Sequence, residues 1–74
     1  DRVDFGATVE VEDEEGRVRT YQIVGDDEVD AKAGRISMKS PVGKSLLNQR
    51  EGDNVLVDRP AGEIELVIRS ITYG

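Results

Sequence analysis

From position 7 to position 12, apolar and polar residues alternate without a break. This puts Ala7, Val9 and Val11 on one side of an extended chain. Residues 13–16 are acidic and end in a glycine, the composition of a hairpin loop with Gly16 at positive φ. Residues 18–24 are β-branched and aromatic, so they predict a second strand antiparallel to the first. Residues 25–34 break the pattern: acids crowd residues 26–30 and Ala-Lys-Ala-Gly follows, a turn-rich connection ending at Gly34. Residues 35–39 alternate again and predict a short third strand with Ile36 and Met38 facing inward.

Ser40-Pro41 is the sharpest local signal. A serine at the N-cap accepts a hydrogen bond from a free helix amide. A proline at the first helical position loses nothing, because that N–H is unpaired anyway. Val42, Leu46 and Leu47 then form one apolar helical face over about two turns, and the helix is expected to stop around residues 48–50. Residues 54–58 predict a fourth strand, and Arg59-Pro60-Ala61-Gly62 a tight turn. The last strand runs over residues 63–73, with alternation through Ile64, Leu66 and Ile68 that slips by one to Ile71 and Tyr73. Such a slip predicts a bulge near Arg69-Ser70, or burial on both faces.

The pattern therefore predicts one α+β domain over residues 1–74: about five mostly antiparallel strands with one short helix after the third. The helix lies across the sheet, where Leu46 and Leu47 meet Val9, Ile23, Ile36, Val55, Val57, Leu66 and Ile68. At about 1.5–3 kcal/mol per fully buried aliphatic side chain, such a cluster holds a small domain without staples. Staples of the usual kind are absent, since the 74 residues contain no Cys and no His. That composition excludes a Cys/His zinc site, a Ser-His-Asp or Cys-His triad and haem ligation by His, and it argues against a self-contained enzyme.

The net charge of −6 is unevenly spread. Residues 1–30 carry −8, residues 31–53 carry +3 and residues 54–74 carry −1. An acidic first half repels phosphate, so direct nucleic-acid binding is not expected. No apolar run reaches the ~18 residues of a membrane span. The sequence opens on Asp1 rather than Met, which suggests a piece of a longer protein.

Several short motifs have bland readings. Gly43-Lys44-Ser45 looks like the tail of a phosphate-binding loop, but Met38 stands where its first glycine belongs. Asp26, Glu28 and Asp30 are spaced like the start of a calcium loop, yet Ala31 replaces the glycine at its sixth position and Ser37 the glutamate at its twelfth. Neither a metal site nor a catalytic carboxylate is expected. A solvated acidic loop, or one that faces a basic partner, is the simpler reading.

Residues 5–9, 21–30, 36–47, 52–53, 60–63 and 71–73, in this order and spacing, resemble the C-terminal domain of the bacterial GreA/GreB transcript-cleavage factors, closer to GreA than to GreB. The stretch Ile23-Val24-Gly25-Asp26-Asp27-Glu28 and the Ser40-Pro41 helix start are the most specific parts. The resemblance implies an FKBP-like fold, a sheet half-wrapped around a helix. It also implies a bacterial, cytoplasmic binding module that docks on RNA polymerase, at the rim coiled coil of the largest subunit beside the secondary channel. An N-terminal coiled coil, absent from these residues, would reach into the channel. Acids at its tip would help hold the polymerase's catalytic Mg²⁺ while the polymerase cleaves backtracked RNA. No catalytic residue, cofactor or metal is then expected in this chain, and DNA or RNA would be met only through the polymerase. Ser40 and Pro41 are the expected polymerase contacts. Lys39, Val42, Asp26, Asp27 and Glu28 are further candidates, with Gly43 beside them. In GreB-like members an Asp often precedes Ser-Pro, and here that position is Lys39. Alternatives are a Gre-like regulator of the same channel, of the nucleoside-diphosphate-kinase-regulator type, or a vestigial prolyl isomerase. The isomerase reading is weakened by having only Phe5, Tyr21 and Tyr73 to line an aromatic pocket.

Overall fold

A computed structural model describes residues 2–73. Five strands and one α-helix follow one another as β1 (Thr8–Asp13), β2 (Val18–Val24), β3 (Arg35–Ser37), α1 (Pro41–Leu46), β4 (Asn54–Val57) and β5 (Ile64–Thr72). Two single-turn 3-10 helices, Asp26–Glu28 and Ala31–Ala33, occupy the β2–β3 connection. The strands form one sheet in the order β3-β2-β1-β5-β4. All neighbours are antiparallel except β2 and β3, which run parallel, with Ile23 opposite Ile36 and Val24 opposite Ser37.

The β1–β2 hairpin follows from the chemistry of its loop. Asp13 turns its carboxylate back onto the loop, where Oδ1 accepts from the N–H groups of Glu15 and Arg17, each at 2.9 Å. Gly16 takes φ +82°, which its missing Cβ permits. The slip in β5 is a bulge: Glu10 pairs with Ser70 but Val11 with Ile68, so Arg69 is the extra residue. Beyond the bulge, Glu51 reaches over and its Oε2 accepts from the Ile71 N–H at 2.9 Å.

The core comprises Val3, Ala7, Val9, Val11, Ile23, Ile36, Leu46, Val55, Val57, Leu66, Ile68 and Ile71, with Val24 buried beside it. No polar or charged side chain is buried among the described residues. The helix covers the concave face of the sheet as the pattern suggests, with Leu46 buried in one cluster with Val9, Ile23, Ile36, Val55, Val57, Leu66 and Ile68. It packs against β3 and β4, the two outermost strands. A single short helix touches both edges only if the sheet curls, so the five strands form a half-barrel closed by α1.

Three inward residues and the lengths of four elements, β3, α1, β4 and β5, differ from the sequence pattern. β3 ends at Ser37, so alternation no longer governs Met38, which lies in the following turn and is exposed. The helix ends at Leu46, because Leu47 leaves helical geometry (φ −55°, ψ 136°) and Asn48 enters the left-handed region (φ 66°). Leu47 is consequently only half-buried. The cause is tertiary. The N-terminal segment captures the chain there, with Asn48 N–H donating to the Val3 carbonyl at 2.9 Å and Val3 N–H to the Gln49 carbonyl at 2.8 Å. Val3 itself is fully buried. Tyr73 lies past the end of β5, exposed, and its hydroxyl donates to the Arg2 carbonyl.

Candidate functional site

The helix start is built around one serine. Ser40 has extended backbone geometry (φ −69°, ψ 157°), and its Oγ accepts from the Gly43 N–H at 3.0 Å. The same hydroxyl donates to the Ser37 carbonyl at 2.7 Å. Pro41 occupies the first helical turn, so the cap satisfies a free amide and the proline presents none. Gly43 packs so closely under this turn that a Cβ there would collide with the Ser37 carbonyl oxygen. Pro41 and Lys39 are exposed, Ser40 half-exposed, and Val42 half-buried against the core.

The acidic turn Asp26–Glu28 sits beside this helix start, because the parallel β2–β3 pairing brings both strand ends to the same edge. Ser37 joins the two. Its Oγ donates to Asp26 Oδ1 at 2.9 Å and accepts from the Lys39 N–H at 3.0 Å. The other carboxylate oxygen of Asp26 faces Lys39 Nζ at 3.6 Å, a solvent-screened pair of exposed side chains. Asp27 and Glu28 are exposed and have no side-chain partner among the described residues. The structure thus gathers Asp26, Lys39, Ser40 and Pro41 into one contiguous surface, flanked by Asp27, Glu28 and Val42. Ser37, which no sequence signal marks, is the residue that connects them.

The surface is mixed in character. Pro41 offers an apolar plate, and Met38 and Val29 are exposed nearby in sequence. Lys39 offsets Asp26 only in part, so Asp26, Asp27 and Glu28 leave the acidic turn negative. Such a surface suits a partner with cationic groups beside an apolar patch.

Other motifs resolve into structure. Ser45 Oγ donates to the Pro41 carbonyl at 2.9 Å, and Gly43-Lys44-Ser45 lies inside a six-residue helix with Gly43 buried and Lys44 exposed, not in a phosphate cradle. Among the described residues no three acidic side chains converge as metal ligands would. Tyr21 lies in β2, whereas Phe5 lies in the turn before β1 and Tyr73 follows β5, both exposed. A concavity lined in part by Arg17, Arg19, Tyr21, Arg59 and Ile64 opens elsewhere on the domain. Its charge is diluted by Asp13 and by Glu15, which pairs with Arg17 at 3.4 Å. Among the described residues no helix is long and apolar enough to cross a membrane.

Comparison with known proteins agrees with this geometry. The family described as transcription elongation factor, GreA/GreB, C-terminal, matches residues 1–73. Transcription elongation factor GreA of Thioalkalivibrio sulfidiphilus is 49% identical over 73 residues, which is 97% of this chain and 46% of that protein. GreA of Maridesulfovibrio salexigens is 50% identical over 74 residues, covering 99% of this chain and 46% of its own length. The chain thus spans about half the length of the curated relatives it matches. Among solved structures, GreA factor homolog 1 (Gfh1) of Thermus thermophilus superposes with a TM-score of 0.86 at 33% identity, over 97% of this chain and 49% of that one. The transcription elongation factor GreA/GreB of Nitrosomonas europaea gives 0.79 at 29% identity, over 96% of this chain and 60% of that one. A half-barrel closed by a Ser-Pro-initiated helix and a match over almost every residue lead to one conclusion: the chain belongs to the GreA/GreB C-terminal domain family of transcription elongation factors.

Proposed function

We propose that this chain is the polymerase-docking part of a bacterial, cytoplasmic transcription elongation factor, and that it docks through the Ser40-Pro41 helix start and the acidic turn beside it. The observation that carries this reading is the single exposed surface formed by Asp26, Lys39, Ser40 and Pro41, tied together through Ser37. The partner is RNA polymerase at the rim of its secondary channel. The chain contributes affinity and orientation. Cleavage of backtracked RNA is the polymerase's own chemistry, helped by acids from the part of the relatives that this chain does not span. No cofactor is assigned to this domain, and nucleic acid is met only through the polymerase.

The test is a competition experiment. The chain should bind core RNA polymerase with an affinity in the range of about 1–50 μM, compete with an intact Gre factor, and leave the rate of RNA cleavage unstimulated. Pro41→Asn should weaken binding about fivefold or more, since it removes the exposed apolar plate while Ser40 still caps the helix. No saturable binding at tens of micromolar, or an unchanged affinity for Pro41→Asn, overturns docking through this face.

A second reading is a Gre-like regulator of the same channel that does not stimulate cleavage, kept because the chain superposes on a protein named GreA factor homolog 1 as well as on a GreA/GreB factor. A cleavage assay on the full-length protein that carries this domain separates the two, since stimulation supports the first and inhibition of elongation the second.

A further inference from the structure

We infer that Ser37 is a positioning residue that makes the acidic turn and the helix start act as one binding surface instead of two independent ones. The inference rests on the docking reading above. Its basis is the hydrogen-bond inventory of one residue. The Ser37 hydroxyl has one proton, given to Asp26 Oδ1 at 2.9 Å, and it accepts the Lys39 N–H at 3.0 Å. The Ser37 carbonyl has two lone pairs, and Ser40 supplies both donors, N–H at 3.1 Å and Oγ–H at 2.7 Å. One residue thus holds the acidic turn with its side chain and the helix cap with its backbone.

Among the described residues the other ties of the acidic turn are weaker. The 3-10 helix Asp26–Glu28 has no side-chain cap, and its backbone closure is the Glu28 N–H to the Gly25 carbonyl at 2.9 Å. The Lys39–Asp26 ion pair joins two side chains that are 83% and 70% exposed, so water and salt weaken it. Ser37, in contrast, is half-buried and is held by the β2–β3 ladder opposite Val24. The rigid partner is therefore Ser37, and Asp26 is positioned by it. A fixed Asp26 in turn places Asp27 and Glu28 at a set offset from Pro41. A partner that reads charge and the apolar plate together then meets both in register, with no ordering left to do on binding.

The test uses Ser37→Ala, Asp26→Ala, the double variant and Ser37→Thr in the 74-residue chain, with Pro41→Asn as the control for the docking face. Three quantities are read: affinity for core RNA polymerase, amide hydrogen exchange over residues 26–28, and the melting midpoint. Ser37→Ala should weaken polymerase binding about fivefold and speed exchange at residues 26–28 about fivefold, with the melting midpoint shifted by only about 3 °C. Ser37→Thr keeps the hydroxyl and should restore both readouts. The double variant should lose no more affinity than the worse single variant, because both remove the same link. Multiplicative losses in the double variant, or no rescue by Ser37→Thr, overturn the inference. So does a Ser37→Ala variant that binds like the parent while Pro41→Asn binds weakly. If Ser37→Ala fails to fold, Asp26→Ala breaks the same link from the exposed side, and its exchange rate over residues 27–28 decides. If the parent chain does not bind polymerase at all, the docking reading fails by itself. The exchange data then decide the positioning role: unchanged exchange in Ser37→Ala refutes it, and faster exchange with rescue by threonine upholds it.

Discussion

The hydroxyl of Ser40 makes two bonds of different kinds, and three substitutions separate them. It accepts from the Gly43 N–H at 3.0 Å and donates to the Ser37 carbonyl at 2.7 Å. Alanine removes both. Loss of an N-cap costs about 1 kcal/mol, in a range of about 0.5–2. Loss of the second bond adds a similar increment, tempered because the Ser37 carbonyl still accepts the Ser40 N–H at 3.1 Å. Ser40→Ala should therefore destabilise the domain by about 1–2 kcal/mol. In a domain of this size each kcal/mol moves the melting midpoint by about 4–8 °C, so a fall of roughly 5–15 °C is expected. Aspartate is as good a helix cap as serine but has no proton to give. Ser40→Asp keeps the Gly43 bond and sets a carboxylate against the Ser37 oxygen, so it should melt between alanine and the parent. Ser40→Thr keeps donor and acceptor and should melt within about 2 °C of the parent. Thermal and urea unfolding by circular dichroism give the order. If alanine melts with the parent, the cap contributes nothing. If aspartate and threonine melt together, the bond to Ser37 is without weight.

Leu46→Ala should cost about 2–5 kcal/mol, because Leu46 is fully buried and is the helix's main anchor in the half-barrel. A 74-residue domain has little stability in reserve, so a large unfolded fraction should appear by circular dichroism at 37 °C. Glu51→Ala removes the acceptor for the Ile71 amide beyond the bulge and should cost about 1 kcal/mol in urea unfolding, while Glu51→Gln, which keeps an acceptor oxygen, should recover most of it. Arg69 pairs with Glu12 at 2.7 Å and Glu10 at 3.8 Å but is half-exposed. Arg69→Met should therefore change stability by less than about 1 kcal/mol, and the difference should shrink further in 1 M salt.

The parts of the fold that depend on local period were legible in the sequence. The alternation at Val9 and Val11, the loop at Asp13–Gly16 and the one-residue slip around Arg69 each found their structural counterpart, because each follows from the two-residue period of a strand. The start of the helix was equally legible, since a serine followed by a proline satisfies its amides locally. Its end was not. The chain leaves the helix at Leu47 because Val3, more than forty residues earlier, bonds to Asn48 and Gln49, and no local pattern carries that information. The same limit hid the heart of the candidate site. Ser40 and Pro41 announce themselves, whereas Ser37 reads as one polar residue in a short strand. Its importance arises from Asp26, eleven positions away, and from a parallel pairing that the pattern did not reveal.

The sheet order has a consequence for how the chain reaches its native state. The central strand β1 lies between β2, its immediate neighbour in sequence, and β5, the fifth strand of the sheet in chain order. The β1–β2 hairpin can close as soon as it exists, but Thr8 must wait for Thr72 to complete its other side. Until then β1 keeps a bare edge, and β4 has no strand to pair with. During synthesis the half-barrel therefore cannot close before β5 has been made, and its closure carries the entropy of joining the ends of a loop of about sixty residues. A ribosome paused before β5 would hold a hairpin with an open edge, a species exposed to mispairing and in need of shelter.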